Sequence, residues 1–435
     1  MNVELRPVKT AAEQALATAF AAARGTLPGK GAVAALREDA FQRFDARGLP
    51  HRRVEEWKYT DLRALLRDAF PLAAPPSSEA KAESKDAGKI FAGIAARRLV
   101  FVSGAFVSEL SDLTPEPGLF VSSLAEALGK GESLVANVGK TFETEDVAVA
   151  LNTALMGDGA TIRVAAGTTL KRPLHLVFAS GREPAAAFIR SLVVIEKGAH
   201  VTLVESHDSG SAQVNAALEL VVGDDAEVDY VKTTQAQGLH IFSLMVAIGA
   251  RATFNSFSFN ADAKLVRNQM FVRFAGEGSK GSIRGVSLLK GKEHVDTTLL
   301  IDHVKGHCES REQFKSVLDD ESHAVFQGKI VVQPHAQKTD AKMMTRALLL
   351  SDEAEADNKP ELEIFADDVI CGHGATTSAP DEALKFYLMS RGIPEEEAEA
   401  LLIQAFIGEV VEEISNDAIR EALMFAALKW LGARG

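Results

Sequence analysis

The sequence is short of the residues on which many metal centres and secreted scaffolds depend. Its 435 residues hold two cysteines, Cys308 and Cys371. Two cysteines so far apart do not make a disulfide framework, and a reducing compartment is the simpler expectation. They also fall short of the four thiolates that commonly hold an iron–sulfur cluster, so any cluster would need ligands from another chain or of another type. No apolar run reaches the roughly 18 residues of a membrane helix. The first residues do not follow the charged, apolar, small-residue order of a signal peptide, and Glu4 and Glu13 suit a transit peptide poorly. A cytoplasmic protein is expected. Basic residues number 47 against 60 acidic ones, for a net charge of −13. That disfavours nucleic acid and an anionic membrane as partners. There is no Gly-x-Ser-x-Gly, no phosphate-binding Gly-x-x-x-x-Gly-Lys-Ser/Thr and no His-Glu-x-x-His. Any ATP used with this chain is therefore hydrolysed by another.

What is present divides the chain into five stretches. Residues 1–72 read as helical. Ala11 to Ala23 is alanine-rich, Pro28-Gly29-Lys30-Gly31 breaks it, and Val33, Leu36, Ala40, Phe41 and Phe44 recur at helical spacing. Residues 73–89 read as a flexible linker, because prolines, serines and alternating charges bury too little apolar area to offset ordering. Residues 90–159 form a mixed α/β lead-in, with Leu119 to Leu128 and Val147 to Met156 as short helices. From 160 to 378, short β-branched runs alternate with Gly, Asp and Lys turns. Turns at Lys197-Gly198-Ala199, Asp224-Asp225-Ala226 and Ile248-Gly249-Ala250 recur roughly every 25 residues, the length of one coil of a right-handed parallel β-helix. One coil cannot bury its inward face alone, whereas stacked coils do. A large β-sandwich or jelly roll is the alternative. Residues 379–435 are helical again: Pro394 opens a helix with Glu395, Glu396 and Glu397 in its first turn, and Asn416 caps another. The fold class expected is mainly β, a parallel β-helix core between helical ends.

Chemistry concentrates near the end of the β region. Cys371 and His373 stand at i and i+2 in Ala366-Asp367-Asp368-Val369-Ile370-Cys371-Gly372-His373-Gly374-Ala375-Thr376-Thr377. On a strand they share one face, about 6–7 Å apart. A thiolate and an imidazole together suit iron or zinc, and Gly372 and Gly374 leave room for close approach. The same residues also suit a buried small hydrophobe beside a turn histidine. A second group, His294, Asp296, Asp302, His303, His307 and Cys308, is rich in ligands but matches no named metal spacing; polar residues on turns or an outer face explain it as well. His207, Asp208 and His335 read more simply as structural residues.

Several stretches together resemble one family. They are Gln327-Gly328-Lys329-Ile330-Val331-Val332, Ala336-Gln337-Lys338-Thr339-Asp340-Ala341, Lys359-Pro360-Glu361-Leu362-Glu363-Ile364, Ala366-Asp367-Asp368-Val369 with Cys371 and His373-Gly374-Ala375-Thr376, and Phe386-Tyr387-Leu388 with Ser390-Arg391-Gly392-Ile393. This order resembles the SufB/SufD family of iron–sulfur cluster assembly proteins. Glu56-Trp57-Lys58-Tyr59-Thr60-Asp61-Leu62 and Ala150-Leu151-Asn152-Thr153-Ala154-Leu155 look like its SufD branch. The resemblance implies a right-handed parallel β-helix and a non-catalytic scaffold subunit of the SUF complex. It implies pairing with a SufB-like β-helix protein and docking of a SufC-like ABC ATPase by the helical region after residue 379. It also implies that His373, with Cys371 beside it, helps place transient iron or a nascent cluster shared with the partner, and no stable cofactor of the chain's own is expected. Gly372 departs from the serine often found there. A homodimer without SufB is a further expectation. Two other functions fit some of the same features. One is a β-helix enzyme acting on polysaccharide, although two tryptophans and three tyrosines make a poor carbohydrate cleft. The other is a purely structural partner with no metal role.

Overall fold

A computed structural model describes residues 8–181 and 183–432; Glu4 and the last three residues of the expected helical end lie outside the described residues. Between residues 160 and 378, alternate side chains of successive strands face a common interior, and the strands stack in two parallel ladders. The first runs through Arg97–Val102, Leu174–Ala179, His200–Ser209, the opening halves of Glu227–Ile248 and Thr253–Phe274, then Lys280–Leu289, Glu309–Leu318, Asp340–Leu349 and Ile370–Ser378. The second runs through Ala160–Val164, Ala186–Ile195, Gln213–Val222, the closing halves of the same two long strands, His294–His303, His323–Val332 and Glu355–Ile364. The two 22-residue strands bend from one ladder into the other. The result is a parallel β-helix of about seven turns.

Register carries each inward row through the coils. Val201 stacks under Val228, Phe254, Gly281, Ser310, Ala341 and finally Cys371. The turns stack as well. Ala199 and Ala226 close their turns by donating to Glu196 O and Gly223 O. The third equivalent residue is Ala252, which donates to Gly249 O. The sequence placed it at Ala250, because the intervening Gly249-Ala250 pair looks like the earlier Gly198-Ala199.

Each outer face is covered by one end of the chain. Helices Ala11–Ala23, Ala32–Arg47 and Val147–Leu155 pack with Trp57 over the second ladder, where Leu151, Leu155, Phe188 and Ile241 meet. Helices Glu395–Val411 and Asp417–Gly432 press Ile403, Ile407, Val410, Leu423 and Trp430 onto Val231, Phe257, Val286 and Val317 of the first ladder. Asn416 accepts from the Ile419 amide, the cap its sequence position suggests.

Two local readings differ from what forms. Residues 73–89 contain helix Ser78–Glu83, capped by Ser77, and bury Ser84 and Ala87. Ser77 supplies the cap and Ala80 and Ala87 the apolar contact that overall composition hides. Leu119 to Leu128 is a strand, Leu119–Ser123, followed by helix Leu124–Lys130, because Leu119–Ser123 pairs antiparallel with Ala160–Val164. Among the described residues no helix is long and apolar enough to cross a membrane.

Candidate functional site

The last coil has no successor. Strand Ile370–Ser378 pairs only with Asp340–Leu349, and Glu355–Ile364 only with His323–Val332, among the described strands. Inward rows that are sealed lower down therefore open here. Cys371 ends the row of Ala341, and His373 ends the row of Tyr230, Ser256, Ile283, Glu312 and Met343. Cys371 is half-buried and packs against the interior apolar cluster, whereas His373 is exposed. The two expected ligands thus share one face at the open end.

Their surroundings differ. Burial pushes the Cys371 thiol above its ordinary value; a backbone hydrogen bond at Ala341 opposes this, and the carboxyls of Asp340 and Glu312 add to it. Cys371 is a protonated thiol at neutral pH, and a metal ion binding it must displace that proton. A Cβ at Gly374 would lie 2.7 Å from Met344 Cε, so a larger residue there must displace the end of that side chain. At Gly372 a Cβ would meet nothing within 4 Å, so the serine common in the resembling family would fit.

Polar groups continue inward beneath the site. Glu312 is fully enclosed beyond Met343, and burial raises its carboxyl to about 8, so it is largely protonated at neutral pH. Deeper still, Tyr230 donates to Glu205, whose other oxygen lies 3.0 Å from His207 Nε2. Lys232 donates to Thr234 Oγ1 at 2.6 Å and Asn268 Oδ1 at 2.9 Å. Burial pushes Glu205 up and draws Lys232 down, each partly offset by the other. Of these residues the sequence singled out His207 alone, as a structural residue. The signal was there: polar side chains at inward positions of strands whose other inward positions are apolar.

The second ligand-rich group does not form one site. Cys308 occupies the turn row of Ala199, Ala226 and Ala252, where its Sγ lies 3.3 Å from Gly276 O, and it packs as a small interior residue. His303 faces inward, stacked on Phe274 and 3.0 Å from Ser310 Oγ. Asp302 pairs with Arg273, and His307 lies on an exposed turn near Glu277. Only His294 and Asp296 stay together, on the outer face of the second ladder, and they are joined there by Thr60, His323 and Asp357. His207 and Asp208 point to opposite faces; His207 meets Glu205, while Asp208 accepts from the Gly88 amide. His335 is exposed on a turn.

A second uncovered surface lies beyond the last strand. Helix Glu382–Ser390, capped by Asp381, leaves Phe386 71% and Tyr387 53% exposed, with Leu384 and Met389 beside them.

Comparison with known proteins matches nearly the whole chain. The family model described as "SUF system FeS cluster assembly, SufBD core domain" covers residues 177–406, and "SufBD protein N-terminal region" covers 11–176. An iron–sulfur cluster assembly SufBD family protein of Synechocystis is 33% identical over 398 residues, 87% of this chain and 86% of that protein. The iron–sulfur cluster assembly protein SufD of Escherichia coli is 32% identical over 386 residues, 87% of this chain and 88% of its own. SufD of Bacillus subtilis is 28% identical over 329 residues, covering 72% and 74%. A polysaccharide-active enzyme finds no support among these relatives. The chain belongs to the SufB/SufD family of iron–sulfur cluster assembly proteins, on its SufD branch, and its role lies in cluster assembly by the SUF system.

Proposed function

We propose that the chain is a non-catalytic, cytoplasmic scaffold subunit that contributes half of a shared site. A SufB-like β-helix protein docks on the open end, and His373, with Cys371 beside it, helps hold iron or a nascent cluster as cargo while the partner supplies the remaining ligands. The observation that carries this reading is the position of Cys371 and His373 on a terminal strand whose outer edge has no described partner. Two ligands are too few for a closed site, and an unpaired edge is a natural place for a second chain to supply more. His373 is the exposed one of the two and so the more accessible first ligand, whereas Cys371 is half-buried. The exposed apolar face of Glu382–Ser390, continuous in sequence with the helices on the first ladder, is the proposed dock for a SufC-like ATPase.

The test is co-expression of His373→Ala with SufB- and SufC-like partners, measuring complex recovery, iron and sulfide separately. Intact complex with iron and sulfide reduced several-fold is the expected result. Unchanged loading removes the metal role from His373. Loss of the complex itself assigns His373 to the interface alone, which is the purely structural reading.

A further inference from the structure

The second ladder holds a different constellation on its outer face. His294 and His323 are register partners on adjacent rungs, and Glu355 follows His323 on the next. Nδ1 of His294 lies 3.2 Å from Nδ1 of His323. The rings are 4.8 Å apart between centroids and inclined at 68°, so the nitrogens meet without the rings stacking.

Hydrogen bonds fix the tautomer of His294. Arg267 holds Asp296 in an ion pair that is almost fully enclosed. The Thr60 hydroxyl donates its single proton to Asp296, so at the 3.0 Å contact with His294 Nε2 its oxygen accepts. His294 therefore carries its proton on Nε2 and a lone pair on Nδ1. His323 Nε2 lies 2.9 Å from Asp357 Oδ2, and its Nδ1 faces that of His294. The His294 Nδ1 lone pair, 3.2 Å from a second ring nitrogen, calls for a positive charge between them, a proton or a metal ion.

We propose that His323, Glu355 and Asp357, with His294 beside them, form a binding site for a divalent cation of the zinc or ferrous class. Ligand atoms of His323, Glu355 and Asp357 already lie within 4.8 Å of one another. An ion at the usual 2.0–2.1 Å from each Nδ1 would subtend roughly 100° between them, close to tetrahedral. His294 has the outer partner that metal-bound histidines use to fix ring and tautomer: Thr60, backed by Asp296. Arg267 is balanced by Asp296, so Glu355 and Asp357 leave the site negative. The stretch Glu56 to Leu62 gains a purpose here. Trp57 lies over Arg267, the Glu56 carbonyl accepts from it, and Thr60 orients His294. The site is independent of Cys371 and His373, which stand on the first ladder.

The test uses the full chain, stripped with chelator and titrated with Co²⁺, whose visible d–d bands report four-coordinate nitrogen and oxygen ligation. Zn²⁺, and Fe²⁺ without oxygen, then compete. One Co²⁺ per chain is expected, displaced by Zn²⁺ and, in excess, by Fe²⁺. His323→Gln abolishes it, Thr60→Val weakens it about 10- to 100-fold, and the double variant Cys371→Ala/His373→Ala leaves it intact. His323 and Glu355 are partly or fully exposed, so Glu355→Gln serves as a second variant if His323→Gln lowers the melting temperature. Absence of any band in the unaltered chain means that the pair shares only a proton and overturns the proposal. So does binding retained in both His323→Gln and Glu355→Gln.

Discussion

At the scale of single residues, burial decides what the histidines and cysteines do. Cys308 and Cys371 both face inward, yet Cys308 fills an alanine row in mid-solenoid and Cys371 ends its row at an opening. His303, surrounded by Phe274 and Ser310, has its pKa lowered to about 3 by burial. Its unfolded value is near 6.5, so the neutral folded form contributes stability above that pH, and the contribution is lost as pH falls from about 6.5 towards 3. Each pH unit in that window removes up to about 1.4 kcal/mol. His303→Gln, compared with the unaltered chain by denaturant unfolding between pH 7 and pH 5, is expected to show a shallower loss. Equal slopes would mean that His303 charges freely in the folded state. Sequence spacing placed His303 with His294 and Asp296 because it counts positions. Only the alternation of faces separates them.

At the scale of elements, the coils are held by turns that lie directly on one another. A Cβ on Gly276 would sit 1.9 Å from Ala250 N, and one on Gly223 would lie 2.8 Å from Ile195 O. Glycine recurs at these turns because the preceding coil occupies the space. Gly276→Ala must shift backbone, and a loss of about 3 kcal/mol is expected in thermal or denaturant unfolding. Gly372→Ala, with nothing within 4 Å, is expected to stay within about 0.5 kcal/mol. If the two variants melt alike, the turns are not packed as described. The terminal helices were legible from Pro394, the acidic first turn and Asn416, since capping and dipole chemistry are local. Helix Ser78–Glu83 was not, because its stability comes from contacts with distant strands.

At the scale of the molecule, the covering is uneven. The N-terminal helices shield the second ladder and the C-terminal helices the first, while the last rung carries Phe365 and Ile370 at 59% and 65% exposure. An apolar, unpaired edge of this kind invites a second chain. The end proposed to receive a SufB-like partner could receive a second copy of the chain in that partner's absence. Native mass measurement is expected to show a dimer that Phe365→Lys/Ile370→Lys converts to monomer. A dimer that persists in the double variant places self-association elsewhere.

Local chemistry and period pointed the sequence alone to a parallel β-helix ahead of a sandwich or jelly roll, to helical ends, and to Cys371 and His373 on one face of a strand. A two-residue period and a coil-length repeat are properties of the chain itself. Tertiary structure decided which inward row each residue ends, and hence that Cys371 is a shielded thiol while His373 is exposed. It also decided that His294 and Asp296 part from His303, His307 and Cys308 and meet Thr60, His323 and Asp357. Those groups are brought together by stacking of coils and by an N-terminal segment more than two hundred residues away in the chain. No spacing along the sequence encodes such a meeting.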